Sequence, residues 1–121
     1  MSDHPIVHIE ISAKDREDAA KFYSDLFGWK VQQQPEFNYA TFEAGSGPGG
    51  GFNPVTDENP AGTVLVYVGS QDIEADLAKA KKLGAKTIVP KTEIPLTGWF
   101  AIFEDPTGNR LGLYTAMQSS A

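Results

Sequence analysis

A chain that runs twice through one order of elements has few ways to fold, and this chain does so at a period near 57 residues. In the first copy, residues 6–12 read Ile-Val-His-Ile-Glu-Ile-Ser, a short β-branched run that predicts a strand. Asp15 then stands where an N-cap accepts hydrogen bonds from the first turn, with Asp18 as an imperfect capping-box partner. Ala19, Phe22, Tyr23, Leu26 and Phe27 recur at spacings of three and four, which predicts an amphipathic helix over 15–27. Gly28 ends it. Strands are predicted at 29–33 and 38–43, with Pro35 and Glu36 turning between them. The latter strand puts Tyr39, Thr41 and Glu43 on one face and Ala40 and Phe42 on the other. The glycine cluster from Gly45 to Gly51 reads as a flexible loop or lid leading into a short strand at Phe52 and Asn53.

The second copy repeats this order. A strand at 63–68 precedes Asp72, which caps a helix over 73–83 with Ile73, Leu77, Ala80 and Leu83 on one face. Gly84 stops it, and strands follow at 85–90, 99–104 and 110–115. Residues 91–95 read as a connection. Asp105-Pro106-Thr107-Gly108-Asn109 reads as a tight turn. Asp15 matches Asp72, Glu17 matches Glu74 and Leu26 matches Leu83. Lys30 matches Lys86 after one residue drops where Gly28 meets Gly84. Two βαβββ copies are too few for a solenoid and predict an α+β fold. Each copy has a helix on one face of its sheet and leaves the other free to curve around a pocket. One domain is expected over residues 1–121, with module 1 near 5–55 and module 2 near 62–116.

Composition narrows the chemistry. There is no cysteine, which removes disulfides, thiolate nucleophiles and cysteine metal sites together. Lys plus Arg number 10 against 16 Asp plus Glu, and a net charge of −6 repels phosphate backbones and anionic lipid. Nucleic acid and membrane are therefore not expected partners. Residues 1–5 lack a basic start followed by an apolar run, and no apolar stretch reaches the ~18 residues of a membrane helix. The expected location is cytoplasmic. Residues 116–121 read as a loose tail. Neither His4 nor His8 has an evident nucleophile nearby in sequence, so no Ser-His-Asp constellation is legible.

His8-Ile9-Glu10-Ile11, then Asp15, then Phe22-Tyr23-Ser24-Asp25-Leu26-Phe27-Gly28-Trp29, resembles the first motif of the vicinal oxygen chelate superfamily (glyoxalases, bleomycin resistance proteins and extradiol dioxygenases). The segment from Gly98 to Asn109, with Asp105-Pro106-Thr107-Gly108-Asn109, resembles its last motif. Lys81-Lys82-Leu83-Gly84-Ala85 fits between them, so the resemblance spans residues 5–115. It implies two βαβββ modules in an incomplete mixed β-barrel around a pocket, often paired as a homodimer. In metal-using members it implies a divalent metal held by four side chains on the first, fourth, fifth and eighth strands.

Of those four positions, only His8 carries a ligand. The fourth-strand position falls in Gly50-Gly51-Phe52-Asn53, the fifth near Thr63 or Val64, and the eighth at Gly112. One imidazole does not hold a metal that takes three or more protein ligands. A rebuilt site of His8, Glu10 and one further strand carboxylate, Glu43 or Glu104, keeps a divalent metal open; otherwise no cofactor is implied. His8 and Glu10, two apart and so on one side of their strand, are the candidate catalytic pair. The alternative for His8 is a hydrogen-bonded strand histidine, and for Glu10 a solvated ion pair. Phe52, Tyr67, Trp99 and Tyr114, with Tyr39, are candidate pocket aromatics, and Arg110 a carboxylate clamp; the alternative is core or dimer contact. Phe22, Tyr23, Phe27 and Trp29 are expected to pack the first helix on its sheet. The function expected is a glyoxalase-like protein with a small-molecule pocket and a metal-free or weakly metal-dependent lyase or isomerase activity. The alternative is a non-catalytic, drug-sequestering binder.

Overall fold

The computed structural model describes residues 4–117. The order is β1 (Ile6–Ala13), α1 (Arg16–Phe27), β2 (Lys30–Gln34), a short 3-10 turn (Pro35–Phe37), β3 (Tyr39–Glu43), β4 (Gly50–Pro54), β5 (Val64–Gly69), α2 (Ile73–Lys82), β6 (Lys86–Ile94), β7 (Gly98–Glu104) and β8 (Arg110–Ala116). This is the α+β class, with βαβββ twice, as the repeat requires. Of the expected tail, residues 118–121 lie outside the described residues. Among the described residues no helix is long and apolar enough to cross a membrane.

The chain divides into two compact units. One is His8–Leu65; the other takes the chain up to Val7 together with Val66 onward. Both boundaries fall inside the first strand of a repeat, β1 or β5, and the connection after Pro54 goes with the first unit.

In the first unit the strand order is β2-β3-β4-β1, with β1 parallel to β4 and the other neighbours antiparallel. Asp15 caps α1 as its position demands, its Oδ1 accepting from the backbone of Glu17 at 2.9 Å and Asp18 at 3.1 Å. Gly28 closes the helix at φ 75°, the left-handed conformation that suits glycine. Ala40, Phe42 and Phe52 form the buried core, with Ile11, Ala13, Ala19, Tyr23, Trp29 and Val31 packed around it. Trp29 stacks on Phe42 at 4.4 Å and Tyr23 on Phe52 at 5.5 Å. The period of two does the sorting: alternate residues of β1, β3 and β4 face α1, and the rest face away.

Only part of the helix stripe is used. Ala19 and Tyr23, four apart, meet the core. Phe22 and Leu26 form a second row four apart on the flank, and with Phe27 each stays more than half exposed. The expectation that Phe22 and Phe27 pack the helix on its sheet is corrected accordingly, although the Phe27 ring still lies 5.4 Å from Trp29.

The glycine cluster also differs from its reading as a lid. Gly50 and Gly51 belong to β4 and are buried. A Cβ at Gly50 would lie 1.8 Å from the Ile9 carbonyl oxygen. These glycines permit close strand approach instead of mobility. Gly45 and Gly47, with positive φ, make the actual loop.

In the second unit the order is β5-β8-β7-β6, with β5 parallel to β8 and the other neighbours antiparallel. Ile73, Ala101 and Leu113 form its core, with Val68, Leu77, Trp99 and Phe103 packed against it. Leu83, expected on the buried face of α2, is exposed because the helix ends at Lys82. Strand β6 runs through Pro90 to Ile94, past the predicted end at residue 90. It absorbs the proline with register shifts between Thr87 and Val89 and between Val89 and Thr92. His4 pairs with Asp76 at 3.0 Å, and the Ser70 hydroxyl donates to the same carboxylate at 2.6 Å.

Candidate functional site

The first unit's sheet has one face turned away from α1, and its chemistry gathers at one ladder position. Glu10 of β1 lies opposite Gly51 of β4, and Gly51 lies opposite Thr41 of β3. Gly51 has no side chain, and the ring of Tyr39 fills the space left. A Cβ at Gly51 would come within 1.9 Å of the Tyr39 hydroxyl oxygen and 2.1 Å of Cζ. Lying there, the phenol reaches β1. Its oxygen is 2.8 Å from His8 Nε2, and it donates to Glu10 Oε2 at 2.9 Å. His8 Nε2 and Glu10 Oε2 are 3.7 Å apart. The His8 and Tyr39 rings are close to parallel, at 18°. His8 and Glu10 are 31% and 18% exposed, sheltered enough for polar contacts to be strong. On the same face, Asn53 follows Gly51 by two residues, and its buried Oδ1 has no hydrogen-bond partner among the described residues.

The second unit repeats the device. Tyr67 lies opposite Gly112 in the parallel ladder, and a Cβ at Gly112 would meet Tyr67 Cδ2 and Cε2 at 2.4 Å. Gly51 and Gly112 are counterparts: each pairs with residue 10 or residue 67 of a first strand, 57 apart. Gly112 is also where the resemblance places the eighth-strand metal ligand, and Gly51 lies in the segment 50–53 that holds the fourth-strand position. In both, a tyrosine ring occupies the room a ligating side chain needs. Glu43 is exposed at the end of β3. Glu104 is ion-paired with Arg110 at 3.5 Å. Among the described residues no group of three or more His, Asp or Glu side chains is placed to hold a metal ion. The donor set does not fit the divalent metal of the metal-using members.

The remaining predicted residues are scattered. Phe52, read as a pocket aromatic, is fully buried beneath α1, because it alternates with Gly51 and faces the helix. Trp99 packs beside the core under α2, with the Lys91 ammonium 5.3 Å from its ring centre. Arg110 and its partner Glu104 are 42% and 34% exposed, a pair of small energetic value. Tyr67 is 7% exposed. Tyr114 donates its hydroxyl to the Thr97 carbonyl at 3.3 Å, and burial pushes its phenol pKa above the usual value. A shallow groove of about 370 Å³ between the end of β1 and the first turns of α1 is lined by Ile11, Ala13, Asp18, Phe22 and Tyr23. It lies on the helix side and includes none of His8, Glu10 and Tyr39. The sequence brought His8 and Glu10 forward and placed Tyr39 on the right face. The signal that would have joined them is the glycine standing where a long side chain was expected.

Residues 5–113 match the model of the glyoxalase/bleomycin resistance protein/dioxygenase superfamily. A glyoxylase-like domain-containing protein of Didymella fabae is 34% identical over 115 residues, covering 88% of this chain and 90% of its own. CFP32 of Mycobacterium bovis, a protein named as a glyoxylase, is 26% identical over 117 residues. That match covers 89% of this chain but 44% of CFP32, so the chain spans less than half of that relative. Among solved structures, methylmalonyl-CoA epimerase from Mycobacterium tuberculosis superposes with a TM-score of 0.71 at 12% identity, covering 94% of this chain and 89% of that one.

Proposed function

The chain belongs to the glyoxalase/bleomycin resistance protein/dioxygenase superfamily, and from that premise we propose that it acts on a small organic molecule by metal-free acid–base chemistry. The observation that carries this reading is the hydrogen-bonded run His8–Tyr39–Glu10, with contacts of 2.8 and 2.9 Å. Lyase and isomerase reactions commonly begin by taking a proton from carbon next to a carbonyl, and imidazole is a suitable base for that step. The proton goes to His8, and the imidazolium so formed has the Glu10 carboxylate 3.7 Å away to balance its charge. Tyr39 connects the two. An epimerase built on this fold is in keeping with the isomerase side of the proposal.

A second reading is a binding protein without turnover. The Asn53 Oδ1, without a partner among the described residues, favours it, since a buried unmet acceptor costs about 1–3 kcal/mol and a ligand donor would relieve that. Proton exchange separates the readings. A panel of small ketones, α-hydroxyketones and α-keto acids is incubated with protein in D2O, and loss of the C–H signal beside the carbonyl is followed by NMR. The proposal requires enzyme-dependent exchange that falls at least a hundredfold in His8→Ala. Stoichiometric binding with no exchange above buffer would replace catalysis by sequestration. The proposal includes a cytoplasmic homodimer, for which Phe22, Leu26 and Phe27 supply exposed apolar surface. Light scattering on the eluting peak reads its mass.

A further inference from the structure

With Glu10 ionised, the two contacts of the Tyr39 phenol determine where its hydrogen lies. A carboxylate offers lone pairs and no hydrogen, so the phenol must give its single hydrogen to Glu10 Oε2, 2.9 Å away. The phenol oxygen is then an acceptor toward His8. Nε2 stands 2.8 Å from it, and two lone pairs at that distance repel. Nε2 therefore carries the hydrogen, and in the neutral ring the basic lone pair is on Nδ1. We propose that Tyr39 is a positioning residue that holds His8 in its Nε2–H tautomer and so makes Nδ1 the proton-accepting atom. Gly51 is the residue that admits it, since any Cβ there would collide with the Tyr39 hydroxyl at 1.9 Å. The naming of Nδ1 as a base rests on the acid–base function proposed above. The tautomer itself does not.

The experiment is a long-range 1H–15N NMR spectrum of the His8 ring at a pH where it is neutral, in the wild type, Tyr39→Phe and Gly51→Ala. In the wild type the account requires a pyrrole-type Nε2 bearing a slowly exchanging hydrogen, and a pyridine-type Nδ1. Tyr39→Phe removes one oxygen, keeps the ring, and should release that hydrogen to rapid exchange with water. Gly51→Ala displaces the ring and should give the same result by an independent route, with backbone amide spectra confirming that each variant is folded. An Nδ1–H tautomer in the wild type would overturn the proposal, because the hydrogen bonds would then run from a protonated Glu10 towards His8. A Tyr39→Phe spectrum identical to the wild type at His8 would overturn it as well. Either result stands whether or not the exchange assay finds a substrate, so a failure here is distinct from a failure of the proposed function.

Discussion

Replacing Gly112 by alanine tests the tyrosine-on-glycine arrangement through one methyl group. The new Cβ would sit 2.4 Å from both Cδ2 and Cε2 of Tyr67 and 2.9 Å from Cγ. Comfortable carbon contacts are ~3.5–4.0 Å, so the overlap exceeds about an ångström. Tyr67 is 7% exposed and packs directly against the glycine, leaving the ring little room to retreat. Overpacking of this kind costs about 1–3 kcal/mol, and the loss of unfolded-chain freedom on Gly→Ala returns about 0.4–1 kcal/mol. The net expectation is destabilisation of about 1–2 kcal/mol, or a melting temperature lower by roughly 3–10 °C for a chain this size. Urea unfolding followed by circular dichroism measures it. A double-mutant cycle with Tyr67→Ala isolates the cause. Tyr67→Ala alone costs several kcal/mol, but in its background Gly112→Ala should be neutral or slightly stabilising. Equal costs for Gly112→Ala in the two backgrounds would refute the reasoning, because the penalty would then not come from the ring.

Phe52→Ala should cost about 3–5 kcal/mol in the same assay, since it deletes a fully buried ring stacked under Tyr23; a cost below ~1 kcal/mol would contradict its place in the core. Burial raises the Tyr114 phenol pKa, so its contribution is complete below the ordinary phenol value near 10 and is lost as pH rises through the folded value. Tyr114→Phe should therefore lose less stability than the wild type as pH rises above about 10. The Asp105 carboxyl is held below its usual range chiefly by the backbone N–H of Asn109 and the Thr107 hydroxyl. Its contribution is present above the ordinary carboxyl value and is lost as pH falls through the lowered one, so Asp105→Ala should show a shallower acid decline than the wild type.

The parts of this fold that were legible depend on local rules. Asp15 and Asp72 are caps because a short carboxylate before an apolar period satisfies the first turn's N–H groups, and both do so. The faces of β3 followed from alternation alone. What was not legible depends on neighbours distant in sequence. Gly50 and Gly51 look like loop glycines until β1 and β3 are placed against them, and Pro90 looks like a terminator until the strand bulges around it. Phe22 and Phe27 fit the helix period as well as Tyr23 does; which row reaches the core is set by where the sheet lies. For the site, His8 and Glu10 share a strand and could be joined by counting. Tyr39 lies 29 residues from Glu10, and its role depends on an empty glycine slot that no local pattern encodes.

The most direct test of a metal-free site is metal analysis of untagged protein, followed by calorimetric titration with zinc, nickel, manganese and ferrous ions, with His8→Ala alongside. The account predicts substoichiometric metal as purified and no saturable binding at His8, because Tyr39 fills the space over Gly51 and is hydrogen-bonded to the imidazole. One equivalent of bound metal that disappears in His8→Ala would contradict it, and would mean that the Tyr39 ring moves aside to admit an ion.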